Sequence, residues 1–129
     1  MKVFISHASQ DRELARKLAS ELSEAGLDVW NPYEEIAPGD NWAMKVGQAL
    51  EASDLMVLLM TPAAAEAESV RREMEYALTA KRFRGRLLSV VVGRQTELPW
   101  ILSKQAVKRI DDAEQGFGDV VDEVLALAH

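Results

Sequence analysis

Leu55–Met60 (LMVLLM) places six apolar residues in a row. A strand with water on one face alternates apolar and polar residues, so an uninterrupted run of this length needs cover on both faces. It is also much too short to cross a bilayer. The run therefore predicts a central strand of a sheet that carries helices on both sides. Lys2–Ser6 (KVFIS), Leu27–Trp30, Leu87–Val92 (LLSVVV) and the weaker Ala106–Ile110 read as four more strands.

Helical periodicity fills the gaps. Leu14, Leu18, Leu22 and Ala25 recur at i, i+4, i+8 and i+11, with Ser9 or Asp11 as the start and Gly26 where a C-terminal cap belongs. Trp42, Val46 and Leu50 mark a second helix that ends near Ser53, and a third covers roughly Ala67–Arg82. Phe117, Val120, Val121, Val124, Leu125 and Ala128 form the stripe of the last helix. Residues 31–41 (NPYEEIAPGDN) read as a long loop, and 95–104 as a loop with one helical turn around Trp100. Strict alternation with short connections implies a parallel sheet. The expected fold is α/β, a flavodoxin-like three-layer fold with a five-stranded parallel sheet in the order 2-1-3-4-5. The 129 residues suit one domain, 1–129. In such sheets ligands bind at the carboxyl ends of the strands, near the switch point between strands 1 and 3. The loops that matter follow Ser6, Trp30, Met60 and Val92.

Several chemistries are excluded. There is no Cys, which removes thiolate nucleophiles, disulfides and Cys-ligated metal clusters. The only histidines are His7 and His129, so neither a His-based metal site nor a Ser-His-Asp triad is expected. No GxGxxG or GxxxxGK[ST] occurs. A receiver domain would need acidic residues after strand 1, where this chain has Ser6-His7-Ala8-Ser9, and an Asp at the end of strand 3; Asp54 lies at its other end. A flavin loop after strand 1 would need Gly, and SHASQD has none. The net charge of −6 argues against general nucleic-acid binding. The opening MKVFISHASQDRE is no secretion signal, and no segment is apolar enough for a membrane, so a cytoplasmic location is expected.

One residue breaks the pattern of the third helix. Val70, Met74, Ala77 and Leu78 form its apolar stripe, and the same pattern predicts an apolar residue at 73, where the chain has Glu73. Glu75 points the opposite way, to solvent. On one reading Glu73 sits at the stripe margin and pairs with Arg72, Lys45 or Arg86. On the other it faces the cleft at the strand ends, shielded by Tyr76 and Ala77, with a raised pKa.

Several segments together resemble a TIR (Toll/interleukin-1 receptor) domain. Val3-Phe4-Ile5-Ser6-His7 with Asp11 resembles the family's first box, and Ile36-Ala37-Pro38-Gly39-Asp40-Asn41-Trp42 its BB loop. Ser53-Asp54 and Thr61-Pro62 flank the third strand as they do in the family, and residues 70–78 (VRREMEYAL) resemble its third-helix motif. The resemblance runs from Lys2 to about Leu127. It implies either a non-enzymatic adaptor that self-associates or an enzyme that cleaves NAD⁺ at the nicotinamide–ribose bond. The glutamate of the third-helix motif is catalytic in the enzymes and maps onto Glu73, which favours the enzyme class. NAD⁺ is then the substrate, and no cofactor or metal is required.

The other site candidates follow from the same likeness. Trp42 takes the place of an aromatic that stacks on the ligand, or is the first apolar residue of its helix. Ser6 and His7, at the end of strand 1, could bind ribose or phosphate. Asn31 could touch a ribose hydroxyl, or serve as a turn residue before Pro32. Many NAD-cleaving members carry Trp four residues before the glutamate, where this chain has Ser69; Trp42 or Tyr76 would then compensate, or the pocket is looser, or the activity is weak. The cluster Arg71, Arg72, Lys81, Arg82, Arg84 and Arg86 is either a solvated helix end or a face that meets Glu34, Glu35 and Asp40 of a neighbour. Contacts of that heterologous kind build open filaments. The resemblance further implies a role in bacterial anti-phage defence or virulence, with a partner or fused sensor as trigger. A nucleoside deoxyribosyltransferase-like enzyme, of the same fold class and with a nucleophilic glutamate, is a further alternative.

Overall fold

The structure is a computed structural model that describes residues 1–128; His129 lies outside them. Five parallel strands form one sheet in the order β2-β1-β3-β4-β5. They are β1 (Lys2–Ser6), β2 (Asp28–Trp30), β3 (Leu55–Met60), β4 (Leu87–Val92) and β5 (Ala106–Ile110). Every residue of β3 is buried, as the apolar run requires.

Alternation along the strands sorts the core into two layers. Val3, Ile5, Leu55, Val57, Leu59, Leu88 and Val90 pack with α1 (Arg12–Glu24) and α6 (Ala113–Ala128). Phe4, Met56, Leu58, Met60, Leu87 and Val91 pack with the helices of the other face. These are α3 (Trp42–Ala52), α4 (Pro62–Glu66) and α5 (Glu68–Thr79), while the short α2 (Pro32–Glu35) follows β2. Ser6 shares the parity of Phe4, so its hydroxyl faces α5. Register with β3 (Ser6 beside Leu58) fixes it near the carboxyl edge of the sheet.

The helix ends explain where the sequence reading needs correction. Residues 31–41 are not all loop: Asn31 caps α2 by accepting the Tyr33 N–H at 3.2 Å, and Pro32 occupies the first helical position. The third helix is shorter than 67–82. Ala67 and Ala80 are both extended, which isolates α5 from α4 before it and from a 3₁₀ turn, Lys81–Phe83, after it. Thr61 caps α4, accepting the Ala64 N–H, and its own hydroxyl donates to the Asp11 carboxylate. Asp11 therefore stands at the N-cap position of α1 without capping it. Strand β2 starts at Asp28 rather than Leu27, and Ala25 is exposed at the end of α1. Gly26, at φ +92°, closes α1 in a conformation other residues avoid.

No described helix is long and apolar enough to cross a membrane.

Candidate active site

Glu73 is 6% exposed and stands in the middle of α5. Its Oε1 accepts a hydrogen bond from Ser6 Oγ at 2.7 Å. Among the described residues it makes no ion pair: Arg72 turns to Glu68 at 3.1 Å instead. Burial therefore acts with little to oppose it. It pushes the Glu73 carboxyl up to about 7, and the Ser6 bond pulls the other way. A carboxyl with that pKa changes charge at physiological pH, a property catalytic acids and bases share.

Glu73 lines a cleft of about 270 Å³ between α3 and α5. Trp42, Ser69, Arg72 and Tyr76 line it too, over a floor that includes Val46 and Leu50. Trp42 is 39% exposed, so the first apolar residue of its helix faces the cleft and solvent rather than the core. The Tyr76 hydroxyl is held by Arg82 at 2.7 Å. Arg82 also donates to the Leu50 and Ser53 carbonyls at the end of α3, tying the two cleft walls together.

A second cleft, of about 370 Å³, lies on the other side of Ser69 and is lined by Ser9, Gln10, Tyr33 and Glu66 among others. The Tyr33 and Trp42 rings touch, with centroids 5.1 Å apart, and Ser69 lines both clefts. The Tyr33 hydroxyl pKa is raised, first by burial and then by the charge of Glu73. A third and larger cleft, about 530 Å³, runs between α4, α5 and Pro99. Its charged lining residues Glu66, Glu68 and Arg71 are all exposed, so it offers no desolvated group for chemistry.

The structure thus brings together Glu73, Ser6, Trp42, Ser69 and Tyr76. His7 and Asn31 form a separate buried pair behind the cleft wall. His7 Nε2 lies 2.9 Å from Asn31 Oδ1, and its Nδ1 lies 2.7 Å from the Ala8 carbonyl and so donates to it. The His7 ring packs on Tyr33 at 4.8 Å. Tyr33 is the cleft residue that the sequence reading passed over. Its signal was the Asn31-Pro32 helix start, which the turn-rich composition of 31–41 concealed.

The acidic residues proposed to meet a neighbour are partly engaged within the chain. Glu34 pairs with Arg16 at 2.9 Å and Arg12 at 3.6 Å. The Arg16 guanidinium holds the Glu34 carboxyl below its usual range. Asp40 accepts the Ala37 N–H at 2.9 Å. Of the basic cluster, Lys81, Arg84 and Arg86 make no ion pair among the described residues.

Comparison with known proteins agrees with this architecture. The NAD(+) hydrolase TcpA of Theionarchaea archaeon (strain DG-70-1) is 29% identical over 127 residues, which is 95% of this chain and 38% of that protein. The 2' cyclic ADP-D-ribose synthase BtTIR of Bacteroides thetaiotaomicron is 33% identical over 60 residues, 46% of this chain and 21% of that protein. The chain thus spans less than half the length of either relative. The TIR domain of the Toll-related receptor TRR-2 of Hydra magnipapillata superposes with a TM-score of 0.76 at 19% identity, covering 95% of this chain and 97% of that one. The family model for the TIR domain matches residues 3–123. The chain belongs to the TIR-domain family.

Proposed function

We propose that this domain cleaves the bond between nicotinamide and ribose in NAD⁺, with Glu73 as the catalytic carboxylate. The observation that carries the reading is a buried carboxyl, poised near pH 7, at an aromatic-walled cleft beside the carboxyl edge of the sheet. The names of the archaeal and Bacteroides relatives support it.

The chemistry needs little beyond that carboxylate. When the C1′–N1 bond breaks, its electron pair goes to the pyridinium nitrogen, and nicotinamide leaves neutral. No acid is needed to protonate it, and the reading calls for no cofactor or metal. The ribose left behind is oxocarbenium-like, as in glycoside hydrolysis. An ionised Glu73 stabilises that cation and can take the proton that an attacking water releases. Water gives ADP-ribose; attack by the adenine ring gives a cyclic isomer. The cationic substrate itself favours the ionised carboxylate. Ser6 keeps one carboxylate oxygen fixed throughout, and Trp42 and Tyr76 supply stacking surface.

Self-association, with the unpaired cations Lys81, Arg84 and Arg86 meeting acidic residues of a neighbour, belongs to the same proposal. So do a cytoplasmic location, a partner or fused sensor as trigger, and a role in anti-phage defence.

The test is nicotinamide release from NAD⁺ by concentrated or artificially clustered protein, with Glu73→Ala as control. Release that depends on Glu73 supports the reading. No release from clustered protein favours the adaptor, and release untouched by Glu73→Ala removes the site assignment. Base exchange on deoxynucleosides points to deoxyribosyltransferase chemistry.

A further inference from the structure

We propose that Arg82 is a positioning residue of the Glu73 cleft, one that holds the Tyr76 side chain against the end of α3 and so fixes an aromatic wall of the site. The proposal rests on the NAD⁺-cleaving reading and deepens it by naming a residue outside the cleft lining that sets the shape of the cleft.

The chain brings Arg82 into place in two steps. Ala80 is extended, so α5 stops and the 3₁₀ turn Lys81–Phe83 follows. Phe83, 1% exposed, anchors that turn in the core. Arg82 then differs from its basic neighbours. Lys81, Arg84 and Arg86 make no ion pair among the described residues, whereas the Arg82 guanidinium is committed to three acceptors within the fold. Its Nε donates to the Ser53 carbonyl at 3.1 Å, and its Nη2 donates to the Leu50 carbonyl and to the Tyr76 hydroxyl, the latter at 2.7 Å. The cation also lies 5.5 Å from the Tyr76 ring centroid and 5.1 Å from that of Phe83. Arg82 is therefore an internal clasp rather than a member of a solvated basic face.

The acceptors explain why the residue is Arg. Leu50 stands in the last turn of α3, whose carbonyls have no helical partner. A planar fork of N–H donors reaches two such carbonyls and a phenol together, which the single ammonium of Lys does less well. Among the described residues, no other side-chain hydrogen bond or ion pair joins α3 and its end to α5 and the turn after it. Tyr76 is the link to the site. It lies three residues on from Glu73, on the same face of α5, and lines the same cleft, which Arg82 does not. Phe83 meets the Tyr76 ring edge-on at 6.2 Å, and Arg82 fixes its hydroxyl end. Without Arg82 the phenol loses its partner, while the Ser6–Glu73 bond is untouched. The loss should therefore fall on substrate binding and spare the chemical step.

The experiment measures nicotinamide release from NAD⁺ by artificially clustered protein, so that assembly does not depend on the basic cluster. Arg82→Gln is expected to raise KM about five-fold and leave kcat within about two-fold. Tyr76→Phe keeps the ring and removes only the hydroxyl that Arg82 holds, so it should raise KM by a similar factor. The double variant should match either single within about two-fold, because both substitutions break one interaction. Arg82→Lys should fall between wild type and Arg82→Gln. A merely structural role would instead lower kcat, through a smaller folded fraction, at unchanged KM.

Arg82→Gln with wild-type KM overturns the proposal, and so does a rise in KM that multiplies with that of Tyr76→Phe. If Arg82→Gln does not fold, Tyr76→Phe decides: wild-type KM overturns the proposal, and a raised KM with wild-type melting supports it. In all these cases the NAD⁺ reading stands, because the wild type still releases nicotinamide. A clustered wild type that releases none refutes that reading and this proposal with it.

Discussion

Replacing Glu73 by Gln should abolish NAD⁺ cleavage and stabilise the fold, and the gain should depend on pH in a fixed way. The Glu73 carboxyl stands near 7 in the folded chain against 4.5 when unperturbed. A group whose folded pKa is raised in this way binds more protons native than unfolded. Below about pH 4.5 the carboxyl is protonated in both states and costs nothing. Stability falls as pH rises through the window from 4.5 to 7, and the loss levels off about a unit above 7. A shift of about 2.5 units corresponds to roughly 3 kcal/mol at the plateau. Gln keeps the shape and can still accept from Ser6, but has no charge to desolvate. The variant should match wild type at pH 4 and exceed it by about 3 kcal/mol at pH 8. For a domain of this size that is roughly 10 °C in melting temperature. Paired thermal melts from pH 4 to 8, followed by circular dichroism, read this directly. A difference that stays flat with pH, or a variant that is less stable at pH 8, would refute the claim that burial dominates at Glu73.

Other consequences concern single atoms. Removing the hydroxyl in Ser6→Ala takes away the donor that lowers the Glu73 pKa, so the acidic limb of the pH–rate profile should move above 7; an unmoved limb would separate Ser6 from the titration. Ser89 is fully buried and its Oγ has no partner among the described residues. Ser89→Ala should stabilise the domain by about 1 kcal/mol in chemical denaturation, whereas a clear loss would mean that the hydroxyl is bonded after all. At Gly116 an added Cβ would meet Ile110 at 2.5 Å, so Gly116→Ala should cost about 1–3 kcal/mol by the same measurement. A neutral result there would mean that α6 can shift away from β5.

The fold was legible because its strongest signals are local and consistent. LMVLLM reads as a strand covered on both faces, and the helices after β1, β2, β3 and β5 carry their own apolar stripes, while β4 and β5 are joined by a loop with one 3₁₀ turn. Glu73 was legible for the same reason, as a charge where the period demanded an apolar residue. Its bond to Ser6 was not, because the two lie 67 positions apart and meet only through the register of β1 with β3. Tyr33 is obscured by composition: Pro, Gly and Asn read as loop, and they mask the Asn31 cap followed by Pro32. His7 and Asn31 were correctly placed at strand ends. Their 2.9 Å approach is a side-chain event that no periodicity encodes, and it turns them inward. The separation of α4 from α5 rests on one alanine, Ala67, in extended conformation, a residue type that carries no such preference in sequence.

The central claim is that a desolvated Glu73 breaks the nicotinamide–ribose bond. Its most direct measurement is the rate of nicotinamide release from NAD⁺ by clustered wild-type protein beside Glu73→Gln, the substitution that preserves shape and packing. The account predicts release by the wild type and none above background by a variant that melts higher at pH 8. Equal rates from the two proteins would contradict it.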